Sequence, residues 1–324
     1  MATVETARGP VDVADLGQVL MHEHVFILSH EFHVNYPQIV GFDEEREVAA
    51  AIDRMNELIE VGVSTIVDLT VGGLGRDIRL LSRVAAQTAL NIVVATGYYT
   101  FTELPHFVGL RSRIGQTPEA DLLASWFVGD IVEGIAGTGV RAGILKCATD
   151  LQGVTPGVEA VLRAVARAHR QTGVPISTHT HPGTHRGLEQ QDVFEDEGVD
   201  LSRVVIGHSG DTDDLVYLEK LLARGSYLGM DRFGIYGILD MASRVRTIVA
   251  LCERGHADRL VLSHDAACAN DWLPPGRSWS NEWNHCHISR DVIPALRAAG
   301  VDDAEIATML VDNPRRIFTT TGSY

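Results

Sequence analysis

VLMHEHVF (19–26), EEREVAAAIDRMNELIEVG (44–62) and STIVDLTV (64–71) follow one another along the chain. The first and third are short β-rich runs, while the second carries apolar residues at helical spacing. The same alternation continues through NIVVATGYY (91–99), AGILKCAT (142–149), PISTHTH (175–181), VVIGHSG (204–210), SYLGMDRFG (226–234) and RLVLSHDA (259–266). Most of these are separated by helical stretches such as VEAVLRAVARAHRQTG (158–173). Strands alternating with helices pair in parallel, and eight such units close a (β/α)8 TIM barrel whose site lies at the strand C-terminal ends. A doubly wound open sheet is the main structural rival.

A chain of 324 residues is long enough for two average domains, yet a barrel with its loops uses that length for one core. No Pro/Ser-rich linker, low-complexity tract or charge block divides it, so residues 1–324 are expected to form a single barrel domain. The tail DDAEIATMLVDNPRRIF (302–318) reads as a closing helix that stops near Asn313-Pro314. The segment from Cys268 to His287 reads as a loop of roughly 20 residues containing Trp and Pro, a length that is usually functional.

With 45% hydrophobic and 22% charged residues, neither a disordered nor a membrane-embedded class fits. A net charge of −16 repels nucleic acid and anionic membranes, which leaves a neutral or weakly charged small molecule as the expected partner. Four cysteines without CxxC spacing suggest a reducing cytoplasm rather than a disulfide framework. The N-terminal stretch lacks the basic and apolar regions of a signal peptide, and no membrane-length apolar run follows.

The chemistry is expected from side chains at the strand ends. His22 and His24 are two apart on the first strand, so both face one side while Met21 and Glu23 face the other. An H-x-H alone reads as readily as two packed core histidines. Lys146 on strand four, His179 on strand five, His208 on strand six and Asp265 on strand eight would reach the same barrel mouth. Lys146 is the odd member, since an ammonium has no lone pair and repels cations. Burial would favour its neutral amine, which can add CO₂ to give an anionic carbamate with two ligand oxygens. A lysine lying along the barrel rim is the bland alternative.

LMHEH (20–24), GLGRDI (73–78), GILKCATD (143–150), IGHSGDTDD (206–214), GMDRFG (229–234) and SHDAACANDW (263–272) occur in an order that resembles the phosphotriesterase family of the amidohydrolase superfamily, and within it the phosphotriesterase-like lactonases. The likeness runs over nearly the whole chain. It implies two divalent ions, zinc first, with cobalt, manganese or iron as alternatives. His22, His24 and Asp265 would hold the more buried ion and His179 and His208 the more exposed one. An N6-carboxylated Lys146 and a hydroxide would bridge the two, and the resemblance also implies a homodimer.

The implied reaction is hydrolysis of N-acyl-homoserine lactones, a quorum-quenching activity, with weak phosphotriesterase activity beside it. Asp265 would carry the proton from the nucleophile to the leaving alkoxide. Tyr99 would hydrogen-bond the substrate carbonyl or the hydroxide, and Arg232 would shape the pocket. The bland readings are an interfacial phenol for Tyr99 and a surface ion pair with Asp231 or another acid for Arg232. Trp272, Leu273, Pro274, Trp279 and Trp283 could form a groove for an acyl chain, at about 0.8 kcal/mol per buried CH₂, or could instead cover a subunit interface.

Two other functions share this pattern: a different ester, amide or organophosphate substrate on the same centre, and a metal-binding barrel without catalysis. His181 shares strand parity with His179, so spacing leaves the ligand choice open, and the resemblance selects His179. His285-Cys286-His287 is a second H-x-H without an acidic partner nearby in sequence. Gly72-Gly73-Leu74-Gly75 reads as a tight βα turn rather than a phosphate loop. No G-x-S-x-G elbow is present, so water rather than serine is the expected nucleophile.

Overall fold

Parallel strands in sequence order form the centre of the molecule: β3 (Gln18–Ile27), β4 (Val63–Asp68), β5 (Asn91–Gly97), β6 (Ile144–Ala148), β7 (Ile176–His179), β8 (Val204–Ile206), β9 (Tyr227–Met230) and β10 (Leu260–Leu262). A short β11 (Ala267–Asn270) pairs in parallel with β3 on its other side. The computed structural model describes residues 2–274, 277–278, 280–319 and 322–324. Ahead of the barrel, β1 (Thr3–Thr6) and β2 (Gly9–Asp12) form an antiparallel hairpin that the sequence reading did not anticipate.

The barrel closes between its last strand and its first. Asp265 N donates to His22 O over 3.0 Å, and His24 N donates to Ala266 O over 2.8 Å. His22 N donates to the Ser263 hydroxyl at 2.8 Å. The expected strand 259–266 is therefore interrupted. Asp265 has a left-handed backbone (φ 56°) that breaks the ladder, and pairing resumes at Ala267. The expected loop from Cys268 consequently begins as strand.

Alternation along the strands sorts two cores. Val19, Met21, Val67, Val93, Ala95, Ile144, Val205 and Val261 pack together as one buried cluster. Their neighbours Leu20, Ile66, Ile92, Leu145, Val204 and Leu260 belong to a second cluster shared with the helices. In the first strand this alternation is interrupted. Met21 packs in the same cluster as Val19, while His22 and His24 also reach the barrel mouth, because the β3–β4 register shifts between Leu20 and Glu23. The expected separation of Met21 from the histidines by simple parity does not hold.

The helices form for local reasons. Glu44–Glu60 is capped by Asp43, whose side chain accepts from Arg46 N, and it buries Val48, Ala51, Met55 and Leu58 at three- and four-residue spacing. Pro156–Thr172 has a Thr155 cap, proline in its first turn and left-handed Gly173 at its end. At the C-terminal end the chain does not stop at Asn313-Pro314. Helix Asp303–Ala307 runs through a π-turn, Thr308–Asp312, into helix Asn313–Phe318, with Pro314 in the opening turn where its missing N–H costs little. Asn313 is fully buried and donates to the carbonyls of Ala257 and Leu260, which fastens this helix beneath β10. Among the described residues no helix is long and apolar enough to cross a membrane.

Candidate metal centre

His22, His24, Lys146, His179, His208 and Asp265 all line one cavity of about 500 Å³ at the barrel mouth. Strand register helps to place them: Gly97 pairs with Lys146, and Ala148 with His179. His22 and His24 reach Asp265 Oδ1 through Nε2 at 3.2 and 3.1 Å. His208 Nε2 stands 2.9 Å from His179 Nδ1 and 3.8 Å from Asp265 Oδ2. Lys146 Nζ lies 3.1 Å from His22 Nε2 and donates to Thr178 O at 3.1 Å.

Partners behind each ring decide which nitrogen faces inward. Asp231 accepts from His22 Nδ1 at 2.8 Å and from His208 Nδ1 at 3.0 Å, leaving both Nε2 atoms toward the cavity. His24 Nδ1 meets Thr70 Oγ1 at 2.8 Å, and Thr70 N is itself fixed on Asp68 Oδ1. His179 is reversed: Nε2 pairs with Asp150 Oδ2 at 2.8 Å, so Nδ1 faces inward. Asp231 also clusters closely enough with His22 and His208 to suggest a ligand. Its oxygens are engaged by the rear nitrogens, however, which makes it an orienting group.

Left-handed φ values at His208 (58°) and Asp265 (56°) aim these two side chains. Such backbone is uncommon outside glycine and is often found where a functional geometry is held. The His208 turn is secured by its own N–H, which donates to Asp231 Oδ1 at 2.8 Å. Burial depresses the basicity of the rings, pushing His179 down to about 4 and lowering His22 and His208. Burial also disfavours the Asp265 carboxylate. Its interactions with His22, Arg232 and His24 outweigh that penalty and hold its pKa well below the ordinary carboxylate range.

The donor set fits divalent cations. Neutral imidazoles direct lone-pair nitrogens at one another across 2.9 Å, an arrangement that a shared cation would make attractive. Lys146 is 1% exposed, and burial lowers its pKa to about 8. Among the described residues no carboxylate forms an ion pair with it. His22, His24 and Asp265 lie close enough together to hold an ion, and Lys146 Nζ reaches this group through His22 Nε2.

Tyr99 is not an interfacial phenol: its OH lies 3.2 Å from His179 Nδ1. Nor is Arg232 a surface partner of Asp231. Its Nε donates to Asp265 Oδ2 at 2.9 Å and its NH1 to Asp211 Oδ2 at 3.1 Å. Trp272 and Trp283 line the cavity together with Ile27, Leu74, Ile235 and Ile238. Leu273 and Pro274 instead line an adjoining cleft with Val40 and Phe42, because the chain turns after Asn270. Trp279 lies outside the described residues.

His181 turns away from the cavity. β7 ends at His179, and His181 Nδ1 meets Thr184 Oγ1 at 3.0 Å, so strand parity no longer applies to it. His285 and His287 also diverge, toward His24 O and toward Asp291 respectively; Asp291, four residues after His287, is an acidic partner that the expectation of none nearby overlooked. The glycine run is a close crossing: a Cβ on Gly73 would lie 2.2 Å from Tyr99 O, and one on Gly75 would lie 1.7 Å from Leu28 O. The sequence reading missed Asp150, Asp231 and Thr70 as orienting groups. Asp231 beside Arg232 and Asp150 four residues after Lys146 were the available signals.

The phosphotriesterase family model matches residues 2–318. A phosphotriesterase homology protein of Mycobacterium tuberculosis is 58% identical over the full length of both chains. An aryldialkylphosphatase of Saccharolobus solfataricus is 37% identical over 96% of this chain and 98% of its own. Among solved structures, the phosphotriesterase from Mycobacterium tuberculosis superposes with a TM-score of 0.94 at 55% identity, covering 99% of this chain and all of that one. A variant of a PTE-like lactonase from Deinococcus radiodurans gives a TM-score of 0.90 at 34% identity, over 98% of this chain and all of that one. With its barrel, its inward-facing histidines and these full-length matches, the chain belongs to the phosphotriesterase family and is a metal-dependent hydrolase.

Proposed function

We propose that this hydrolase opens lactone rings, N-acyl-homoserine lactones foremost, at a binuclear centre held by His22, His24, His179, His208, Asp265 and a carboxylated Lys146. The observation that carries the reading is the juxtaposition in one cavity of that polar cluster with an apolar wall of Ile27, Leu74, Ile235, Ile238, Trp272 and Trp283. A polar ring and an apolar tail would each find a matching surface. Burying the tail would contribute about 0.8 kcal/mol per CH₂.

When bound, two divalent cations, zinc being our first choice, would supply an acidified water and a Lewis acid for the carbonyl. The buried amine of Lys146 adds CO₂, forming an N–C bond and releasing a proton, and the carbamate gives the cluster a further anionic group. Asp265, steadied at Oδ2 by Arg232, takes the proton of the attacking water and returns it to the ring oxygen as the C–O bond breaks. Tyr99 remains a protonated donor, since burial raises its pKa beyond the ordinary phenol range, and it orients the substrate oxygen.

The name of the aryldialkylphosphatase relative favours a second substrate class, phosphotriesters. Comparing kcat/KM for a long-chain homoserine lactone and a phosphotriester on one metal-analysed preparation decides between them. No turnover of the lactone with the metal sites filled would sink the lactonase reading. A homodimer in a reducing cytoplasm completes the proposal. The four cysteines of the chain are all free, and sedimentation in the ultracentrifuge tests the dimer.

A further inference from the structure

Three residues outside the metal cluster form a continuous hydrogen-bonded chain. Asp291 Oδ2 accepts from His287 Nδ1 at 2.7 Å, and His287 Nε2 contacts the Tyr236 hydroxyl. With Nδ1 carrying the proton toward Asp291, Nε2 has a lone pair, so Tyr236 must be the donor. Burial pushes the Tyr236 phenol up to about 12, which keeps that proton in place.

The position of this chain gives it a consequence. Tyr236 lies between Ile235 on one side and Gly237 and Ile238 on the other, and all three line the catalytic cavity. His287 belongs to the segment that supplies Trp283, which lines the same cavity from its own loop. The two backbones also touch. A Cβ on Gly234, whose φ is +103°, would lie 2.6 Å from Trp283 Cα, and Ser280 Oγ donates to Gly234 O at 2.6 Å. Buried Arg244 holds the other side of the loop, donating to Ile235 O and Leu239 O at 2.9 Å each. Trp283 is fixed in turn by Nε1 donation to His264 O and Asp265 O. Among the described residues, the tip at 236–238 is thus hydrogen-bonded to the Trp283 segment through one side chain, that of Tyr236.

We propose that Tyr236, His287 and Asp291 form a latch that sets the width of the apolar wall and so determines which substituent sizes the enzyme accepts. The three are positioning residues, for they act through Ile235, Ile238 and Trp283 rather than on the reacting atoms. The latch rests on the cavity being the substrate pocket, and it holds for a lactone or a phosphotriester alike.

The test uses the metal-loaded full chain with Tyr236→Phe, which keeps the ring and removes the donor. Amide hydrogen exchange across 234–240 is expected to rise by about fivefold, as for one lost hydrogen bond, with the barrel strands unchanged. KM for the longest-chained substrate of a homologous lactone series is expected to shift by about fivefold relative to the shortest, with kcat for each within about twofold. Asp291→Asn retains an acceptor for His287 and should give a smaller change in the same direction. Unchanged exchange at 234–240 overturns the latch. Faster exchange with an unaltered size preference overturns its role in specificity. If the parent enzyme turns over no lactone, the same ratio is read on phosphotriesters of increasing alkyl length, so failure of the lactone reading is distinguishable from failure of the latch.

Discussion

Arg232 Nε donates to Asp265 Oδ2 over 2.9 Å, and the same guanidinium reaches Asp211 Oδ2 at 3.1 Å. The carboxylate that faces His22 and His24 is therefore held from behind by a cation. Removing that cation, as in Arg232→Met, leaves Asp265 without its guanidinium in a largely buried place and leaves Asp211 with Arg244 as its remaining cation. In metal-free protein we expect a loss of about 3 kcal/mol of stability, shrinking once metal is added because bound cations neutralise Asp265. Urea unfolding with and without metal checks this, and equal losses in both states would contradict it.

In the proposed centre, Asp265→Asn would remove both a negative ligand and the proton acceptor. Turnover should fall by a factor on the order of 10² or more, and metal content should drop as well. Metal analysis and kcat on the same preparation give the answer. Native turnover in the variant would refute the proton-carrying role and revive a binding-only barrel.

Lys146→Ala should lose metal and activity together, because the proposed carbamate would form on this buried amine. Short carboxylates such as propionate added to the medium should partly restore both by occupying the vacated place. Full activity without additive would eliminate the carbamate.

Asp231→Asn tests the orienting role. His22 and His208 use different oxygens of Asp231, so an amide would turn its NH2 toward one of the two Nδ1 protons, and that ring must change tautomer or turn. Metal affinity is expected to weaken about 10- to 100-fold with the fold retained. Competition with a chelator measures it, and unchanged affinity would mean that Asp231 does not set the ring orientation.

His169, far from the centre, sets a pH dependence. It is fully buried, its Nδ1 donates to Val174 O at 2.7 Å, and its Nε2 accepts from Tyr324 OH at 2.6 Å. Burial lowers its pKa from 6.5. Below that value the unfolded chain binds the proton more readily than the folded one. The stability linked to His169 is therefore fully present above about pH 6.5 and declines as pH falls toward the folded value. Urea midpoints at pH 7.5 and 5.5 should fall more in the parent than in His169→Gln. Equal falls would remove His169 as the cause.

The alternation of β-rich and amphipathic segments was enough to specify parallel strands between helices, and the count of eight favoured a barrel over an open sheet; closure itself is seen only in the bonds from Asp265 N to His22 O and from His24 N to Ala266 O. Lys146, His179 and His208 could be placed at strand ends for the same reason, since a strand end in such a barrel is a position at its mouth. The parity argument placed His22 and His24 in the same cavity, but it misplaced Met21 and His181 where the backbone leaves the regular strand, at the register shift after Leu20 and at the end of β7. Periodicity carries no information about such breaks.

What the sequence determined by itself, then, was the layered architecture and the chemical types gathered at its mouth, both consequences of local pattern. Tertiary structure alone decided which nitrogen each imidazole presents, through Asp231, Asp150 and Thr70, and turned Asp265 inward through a left-handed residue. It also took Leu273 out of the cavity and gave Arg232 to Asp265. These are relations between residues far apart in the chain or at exceptional backbone angles, and they exist only once the barrel has closed around them.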